Sequence, residues 1–283
     1  MNALIPTHDG LALHVRSWSP AAAARGQVLI VHGLGEHGGR YAHVAAALHA
    51  HGWEVTAYDQ RGHGHSAGAQ GDIATPDSLL ADLARVMDAL REHHAGPLVL
   101  LGHSLGGLVA ARFVAEGLMP QPAPWAREVE ALVLSSPALD PGMTAVQKAL
   151  LAVVPRLLPH LRVNNGLKPE WISSDLAVVR AYVEDPLVHD RISGLLGQFI
   201  AEAGSLVQSV AGSWRVPTLL MWAGADRCVR PEGSARFAAD SSREVVTVRE
   251  WPGFAHEIFN EPQKEEVLAE LDAWLDWRFP AGV

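Results

Sequence analysis

The stretch Pro97-Leu-Val-Leu-Leu-Gly-His-Ser-Leu-Gly-Gly-Leu-Val-Ala-Ala-Arg-Phe-Val-Ala-Glu116 joins an apolar run to a helical pattern through a glycine-flanked serine, and this junction decides the fold. Pro97 to Gly102 reads as a buried strand, and Leu105 to about Glu116 as a helix. At the join, Gly102-His103-Ser104-Leu105-Gly106 has the form G-x-S-x-G in the strand-to-helix position the motif requires. A nucleophile on so sharp a turn needs small residues two before and two after it, and Gly102 and Gly106, with Gly107 beside them, supply that room. Ser104 is thereby marked as a candidate nucleophile.

Outward from this point, strand and helix signals alternate. Gln27 to His32 is a buried strand, Arg40 to Ala50 a helix closed by Gly52, and Trp53 to Asp59 another strand. His8-Asp9-Gly10 reads as a tight turn that opens the sheet with an antiparallel edge. Thr75-Pro76-Asp77 reads as a helix start, with Thr75 as cap, and Leu79, Leu80, Leu83, Val86, Met87 and Leu90 then share one face. After a strand at Val129 to Ser135 the rhythm changes. From about 138 to 212 strands vanish and helical patterns take over, one of them carrying Ile192, Leu195, Leu196, Phe199, Leu206 and Val210 on one face with a break at Gly204. Strand Val216 to Ala223, helix Glu232 to Ala239, strand Glu244 to Trp251 and helix Gln263 to Trp277 follow. This order predicts an α/β fold: a mostly parallel central sheet with helices on both faces, formed by residues 1–137 and 213–283, with 138–212 inserted as a helical cap.

Composition narrows the partners. The chain has 283 residues, and 22 Lys+Arg against 31 Asp+Glu leave a net charge of -9, with 48% hydrophobic residues. That supports a sizeable core and argues against disorder and against nucleic acid as a ligand. The single Cys228 permits no internal disulfide and no structural zinc site of the cysteine type, and Met1 to Gly10 lacks the features of a secretory signal, so a cytoplasmic location is expected. The greasiest stretch, Ala145 to Val163, is interrupted by Lys148, Pro155, Arg156, Pro159 and Arg162 and does not predict a membrane span.

A serine hydroxyl needs an imidazole to take its proton and a carboxylate to orient that imidazole. In a sheet enzyme of this kind the order is serine, acid, histidine, with the last two on loops beyond strand ends. Asp226, after Leu219-Leu-Met-Trp-Ala223, and His256, after the strand ending at Trp251, fit that order. Asp240 and Asp272 sit in or near helices and read as solvated carboxylates. The amide of Leu105 and that of Leu34, in His32-Gly33-Leu34-Gly35, are the candidate donors to an oxyanion. Arg61-Gly-His-Gly-His-Ser66 places His63 and His65 close together, but no local Cys, Asp or Glu joins them, so a polar loop is expected rather than a metal site. No metal and no cofactor is predicted. The tryptophans read as packing anchors.

Together His32-Gly-Leu-Gly-Glu-His-Gly-Gly-Arg-Tyr41, Asp59-Gln-Arg-Gly-His-Gly-His-Ser66, Gly102-His-Ser-Leu-Gly-Gly107, Asp185-Pro-Leu187, Ala225-Asp-Arg227 and His256 resemble the monoacylglycerol lipase group of serine hydrolases across nearly the whole chain. The resemblance implies an α/β-hydrolase core with a helical cap and cofactor-free hydrolysis of single-chain glycerol esters. It carries Ser104, Asp226 and His256 as triad and Leu34 and Leu105 as oxyanion donors. It also implies Glu36, Arg40 and Tyr182 around the polar glycerol end; the residue types alone fit equally an ion pair and a cap tyrosine. Two departures stand out: Phe259 occupies the place of a second histidine in the mammalian members, and Cys228 is offset by one from their cysteine. Cap residues Leu150, Leu151, Val154, Leu157, Leu158 and Phe199 either line a channel for one alkyl chain or form the cap's own core. The expected partner is a small acyl ester, with transient contact of the cap at a membrane or micelle surface compatible with this composition. Carboxylesterase, lysophospholipase or thioesterase activity would use the same triad, a peptidase would share the fold, and a ligand-binding protein would be expected to lack a triad member.

Overall fold

In the computed structural model, which describes residues 2–20, 24–94 and 96–280, strands form where the apolar runs lie. The antiparallel pair β1 (Asn2–Pro6) and β2 (Ala12–Trp18) is followed by β3 (Gln27–Val31), α1 (Ala42–Ala50) and β4 (Glu54–Tyr58). Next come α2 (Ser78–Arg91), β5 (Leu98–His103), α3 (Leu105–Glu116) and β6 (Ala131–Ser135). The inserted stretch holds α4 (Ala145–Leu157), β7 (Arg162–Asn164), α5 (Leu176–Glu184), β8 (Arg191–Ser193) and α6 (Gly194–Ser209). The chain closes with β9 (Thr218–Ala223), α7 (Pro231–Asp240), β10 (Val246–Trp251) and α8 (Lys264–Arg278).

Eight strands make one sheet in the order β1-β2-β4-β3-β5-β6-β9-β10, parallel from β4 onward. This is the mostly parallel sheet with an antiparallel edge that the sequence predicts. Period-two alternation sends neighbouring residues to opposite faces. Val28, Ile30, Val99, Leu101, Val133, Leu219 and Met221 pack with α1 and α8, whereas Leu29, Val31, Leu98, Leu100, Leu132, Leu134 and Leu220 pack with α2 and α3. Register then brings the future site together: Val31 pairs with Gly102 and His103 with Ser135, so the loops leaving β3, β5 and β6 emerge side by side.

Three local expectations are corrected. The insertion is not free of strands: β7 and β8 form a two-stranded antiparallel ribbon, each strand too short at three residues for alternation to show in the sequence. Helix α6 runs unbroken through Gly204, because that glycine serves packing: a Cβ there would lie 2.9 Å from the Leu139 carbonyl oxygen. Helix α2 begins at Ser78, and Thr75 does not cap it by side chain; instead the Ser78 hydroxyl accepts from the Thr75 amide.

The insertion is rooted in the core by α6, whose Leu196, Phe199, Ile200, Ala203 and Val207 are buried in the cluster that contains α3. Backbone bonds from His189 to Gly35, Ser193 to Gly71 and Glu257 to Ile172 tie its remaining segments to core loops.

Candidate active site

Ser104 occupies the turn between β5 and α3 at φ 53, a conformation rare for a residue with a side chain. Three backbone bonds hold it there: its amide donates to Ser135, and its carbonyl accepts from Leu108 and Ala138. Gly106 is obligatory, since a Cβ would run into the carbonyl oxygen of Val31 on the neighbouring strand. The motif glycine therefore lets α3 close onto β3.

Asp226 follows β9 and His256 follows β10, as their parallel pairing dictates, and His256 Nδ1 lies 2.6 Å from Asp226 Oδ2. The amides of Cys228 and Val229 donate to the other carboxylate oxygen. An ionised carboxylate only accepts, so the imidazole proton sits on Nδ1 and Nε2 keeps its lone pair. Burial works against the imidazolium, yet the Asp226 carboxylate outweighs it and raises the pKa of His256 above its ordinary 6.5. Ser104 and His256 line the same cavity.

The loop after β3 is braced from within. The ring of His32 bonds Gly33 O through Nδ1 and accepts the Gln60 amide on Nε2, while the Gln60 side chain donates to His32 O. Among the described residues, neither the Leu34 nor the Leu105 amide has an acceptor in the molecule. Leu105 opens α3, so its amide also carries the positive end of the helix dipole.

Glu36 lies buried beside this loop and accepts from the Gly33 amide, the Tyr41 hydroxyl and Arg40. Burial pushes its carboxyl up, but Arg40 together with His103, His32 and the Tyr41 hydroxyl more than offsets that and holds it at about 2. Arg40 then grips Glu257 through two bonds of 2.6 and 2.7 Å, and the ring of Tyr182 covers its guanidinium at 4.8 Å. Glu36 and Tyr182 line the cavity; Arg40 is not among its lining residues.

Two cavities meet at Ser104. The more polar of the two, about 390 Å³, is lined by Glu36, His103, Tyr182, Asp185, His256 and Glu257, with apolar residues such as Ile172 and Val183 between them. An apolar one of about 370 Å³ is lined by Leu150, Leu151, Val154, Ile192 and Ile200, and also by Leu34, Ser104 and Leu105. The structure thus gathers three of the proposed alkyl-channel residues around the serine and not the others. Phe199 lines neither cavity and is buried in the core cluster, and Leu157 and Leu158 are exposed.

His103 and Glu257 have no role assigned by sequence. The His103 ring stands 4.7 Å from that of His256 and bonds Ser135 Oγ through Nδ1. Burial, with His256 beside it, holds His103 at about 4, so it stays neutral at physiological pH. Its place inside G-x-S-x-G was the available signal, as was the adjacency of Glu257 to His256. The site Phe259 fills is apolar and buried near α8, and its carbonyl accepts from His43.

His63 and His65 do not converge: His63 packs between the rings of His32 and His189, and His65 lies edge-on to His14. Among the described residues, two clusters have metal-ligand spacing. In Asp226, Cys228 and His256 the acid and the imidazole are spent on each other. In His8, Asp9 and Asp82 both carboxylates are bound by Arg61.

Comparison with known proteins agrees with this geometry. The family model described as serine aminopeptidase, S33, matches residues 22–263. A monoacylglycerol lipase from Mycolicibacterium smegmatis is 32% identical over 262 residues, covering 91% of this chain and 90% of the relative. The crystal structure of Paleococcus ferrophilus monoacylglycerol lipase superposes with a TM-score of 0.82 at 35% identity, covering 94% of this chain and 99% of that one. The chain also matches a Dictyostelium discoideum abhydrolase domain-containing protein at 30% identity, spanning 28% of that longer protein.

Proposed function

The chain belongs to the serine aminopeptidase S33 family of α/β-hydrolases, and on that premise we propose that it hydrolyses carboxylic esters of single-chain lipids, monoacylglycerols first among them. The observation that carries this reading is the seat of Ser104 at the junction of an apolar and a polar cavity, beside a histidine whose tautomer is fixed by a buried carboxylate. An acyl chain fits the first cavity and a polyol the second, with the ester carbon at the serine.

In this scheme Ser104 Oγ forms a bond to the carbonyl carbon while its proton passes to His256 Nε2, and the carbonyl oxygen takes up the negative charge opposite the Leu34 and Leu105 amides. The bond to the alcohol oxygen then breaks, and His256 returns the proton to that oxygen. Water repeats the sequence on the acyl-enzyme, releasing the fatty acid and restoring the serine. Asp226 keeps its charge throughout and stabilises the imidazolium.

Residues 138–212 act in this reading as the cap over the site. The outer side chains of α4 and the turn after it, Val146, Val153, Leu157 and Leu158, are exposed, which supports transient seating of the cap on a micelle or bilayer. No helix among the described residues is long and apolar enough to cross a membrane.

The test is hydrolysis of a matched panel: monoacylglycerols of several chain lengths, a diacylglycerol, a triacylglycerol, a lysophospholipid and a short p-nitrophenyl ester, with Ser104→Ala beside wild type. Turnover of monoacylglycerols and simple esters that drops by several orders of magnitude in the variant is expected. Near-normal turnover in Ser104→Ala would refute the scheme, and cleavage of the short ester alone would remove the lipid assignment.

A further inference from the structure

Within that reading of the polar cavity as the seat of the leaving alcohol, the distribution of charge decides which alcohols fit. Two carboxylates, Glu36 and Glu257, line the cavity and share the single guanidinium of Arg40. The cation stands behind them: Arg40 does not line the cavity, and Tyr182 covers its face. Asp185 and Asp190 add two further carboxylates to the wall, the first held by His37 and the second by Asn164 and by Arg191, which like Arg40 does not line the cavity. Against these four acids the lining holds one Lys or Arg, Lys168, whose Nζ lies over the Trp171 ring. A substrate group entering here meets a surplus of acceptors and negative charge in a partly enclosed space, where charge is poorly screened.

We propose that this subsite is a charge filter that favours cationic or neutral leaving alcohols and rejects those bearing phosphate or carboxylate, and that Glu257 is the residue that sets the preference. Glu36 is also bound to the Gly33 amide and Tyr41, from different loop positions on its own side, whereas the further partner of Glu257 is the nearby Asn260 side chain. Glu257 balances Arg40 from the histidine side, and neutralising it would leave the guanidinium to a single carboxylate and make the subsite tolerant of anions.

Soluble butyrate esters separate this from lipid packing. Butyrylcholine is compared with its uncharged isostere 3,3-dimethylbutyl butyrate, and glycerol monobutyrate with butyryl glycerol 3-phosphate, in wild type, Glu257→Gln and Glu257→Asp. In wild type, kcat/KM should be higher for the choline ester than for its isostere, and at least tenfold higher for the glycerol ester than for its phosphate. Glu257→Gln should narrow both ratios severalfold, and Glu257→Asp, which keeps the charge, should retain them. Either wild-type pair equal within twofold, or reversed, overturns the filter whether or not any variant folds. A folded Glu257→Gln protein with wild-type ratios overturns the assignment to Glu257. If wild type fails to cleave glycerol monobutyrate, or Ser104→Ala cleaves it equally well, the serine-esterase reading itself falls instead.

Discussion

Gly197 on α6 lines the apolar cavity, and a Cβ built on it would lie 3.0 Å from Leu151 Cδ2, the free end of a flexible side chain. Gly197→Leu therefore adds four carbons to the space assigned to the acyl chain. If they displace about four substrate methylenes, each contributing ~0.8 kcal/mol, the longest productive chains lose about 3 kcal/mol of binding, or roughly two-hundredfold in kcat/KM. Short chains that never reach this depth should be nearly unaffected. Stability should hold or rise, because leucine in a helix is favoured over glycine by ~0.8 kcal/mol. The assay is kcat/KM for p-nitrophenyl esters from acetate to laurate in both proteins. Wild type should rise about fourfold per methylene to a plateau, and the variant should level off about four carbons earlier. Equal loss at every chain length, or an unchanged profile, would refute the placement of the acyl chain between α4 and α6.

Further expectations concern charge. His256 must be neutral to accept the serine proton and its pKa stands above 6.5, so the acid limb of kcat/KM should lie above 6.5, with activity falling as pH drops through it. Asp226→Asn removes the group responsible, so the limb should move down while the rate falls by on the order of 10⁴-fold; a wild-type limb at or below 6.5 would contradict the buried pair. Arg61 Nε and Nη2 donate to the buried Asp82 at 2.6 and 2.7 Å, and Arg61→Ala, which strands that carboxylate, should cost about 3–5 kcal/mol in urea unfolding. A loss under about 1 kcal/mol would show that Asp82 finds solvent or a proton.

The sheet was legible because a parallel strand buried on both faces reads as a continuous apolar run, and the strand-end loops, with the serine-acid-histidine order, then single out Asp226 and His256, which the structure pairs at 2.6 Å. What remained hidden has two physical causes. Ribbon strands β7 and β8 are too short to show a period, and both sides of α6 are apolar, so spacing cannot say whether Phe199 or Gly197 and Ile200 face the cavity. Long-range pairing is equally invisible: the Arg40 motif announces a cation near the site, but its bidentate partner Glu257 lies 217 residues away. The resemblance implies Glu36, Arg40 and Tyr182 around one polar end of the site, whereas Glu36, Tyr182 and Glu257 line the cavity and Arg40 pairs with the two carboxylates behind it.

That arrangement also explains why so many charges are buried next to the reacting atoms. A buried ion pair adds little net stability, since desolvation consumes most of its Coulombic gain, while losing one partner is costly. Its value here is positional. Glu36 stands two residues after Leu34, whose amide is the proposed oxyanion donor, and Glu257 directly follows His256, the proposed base. One guanidinium holds both carboxylates at 2.6 Å and so fixes the oxyanion loop against the histidine loop. These loops leave β3 and β10, strands at the middle and edge of the sheet, and the sheet alone does not set their separation. Electrostatic stabilisation of a tetrahedral intermediate depends on donors held in place before the charge develops. Arg40, which lines neither cavity, is thus the residue that ties the loop after β3 to the loop after β10, and in the proposed scheme it sets the distance between the oxyanion donor and the base.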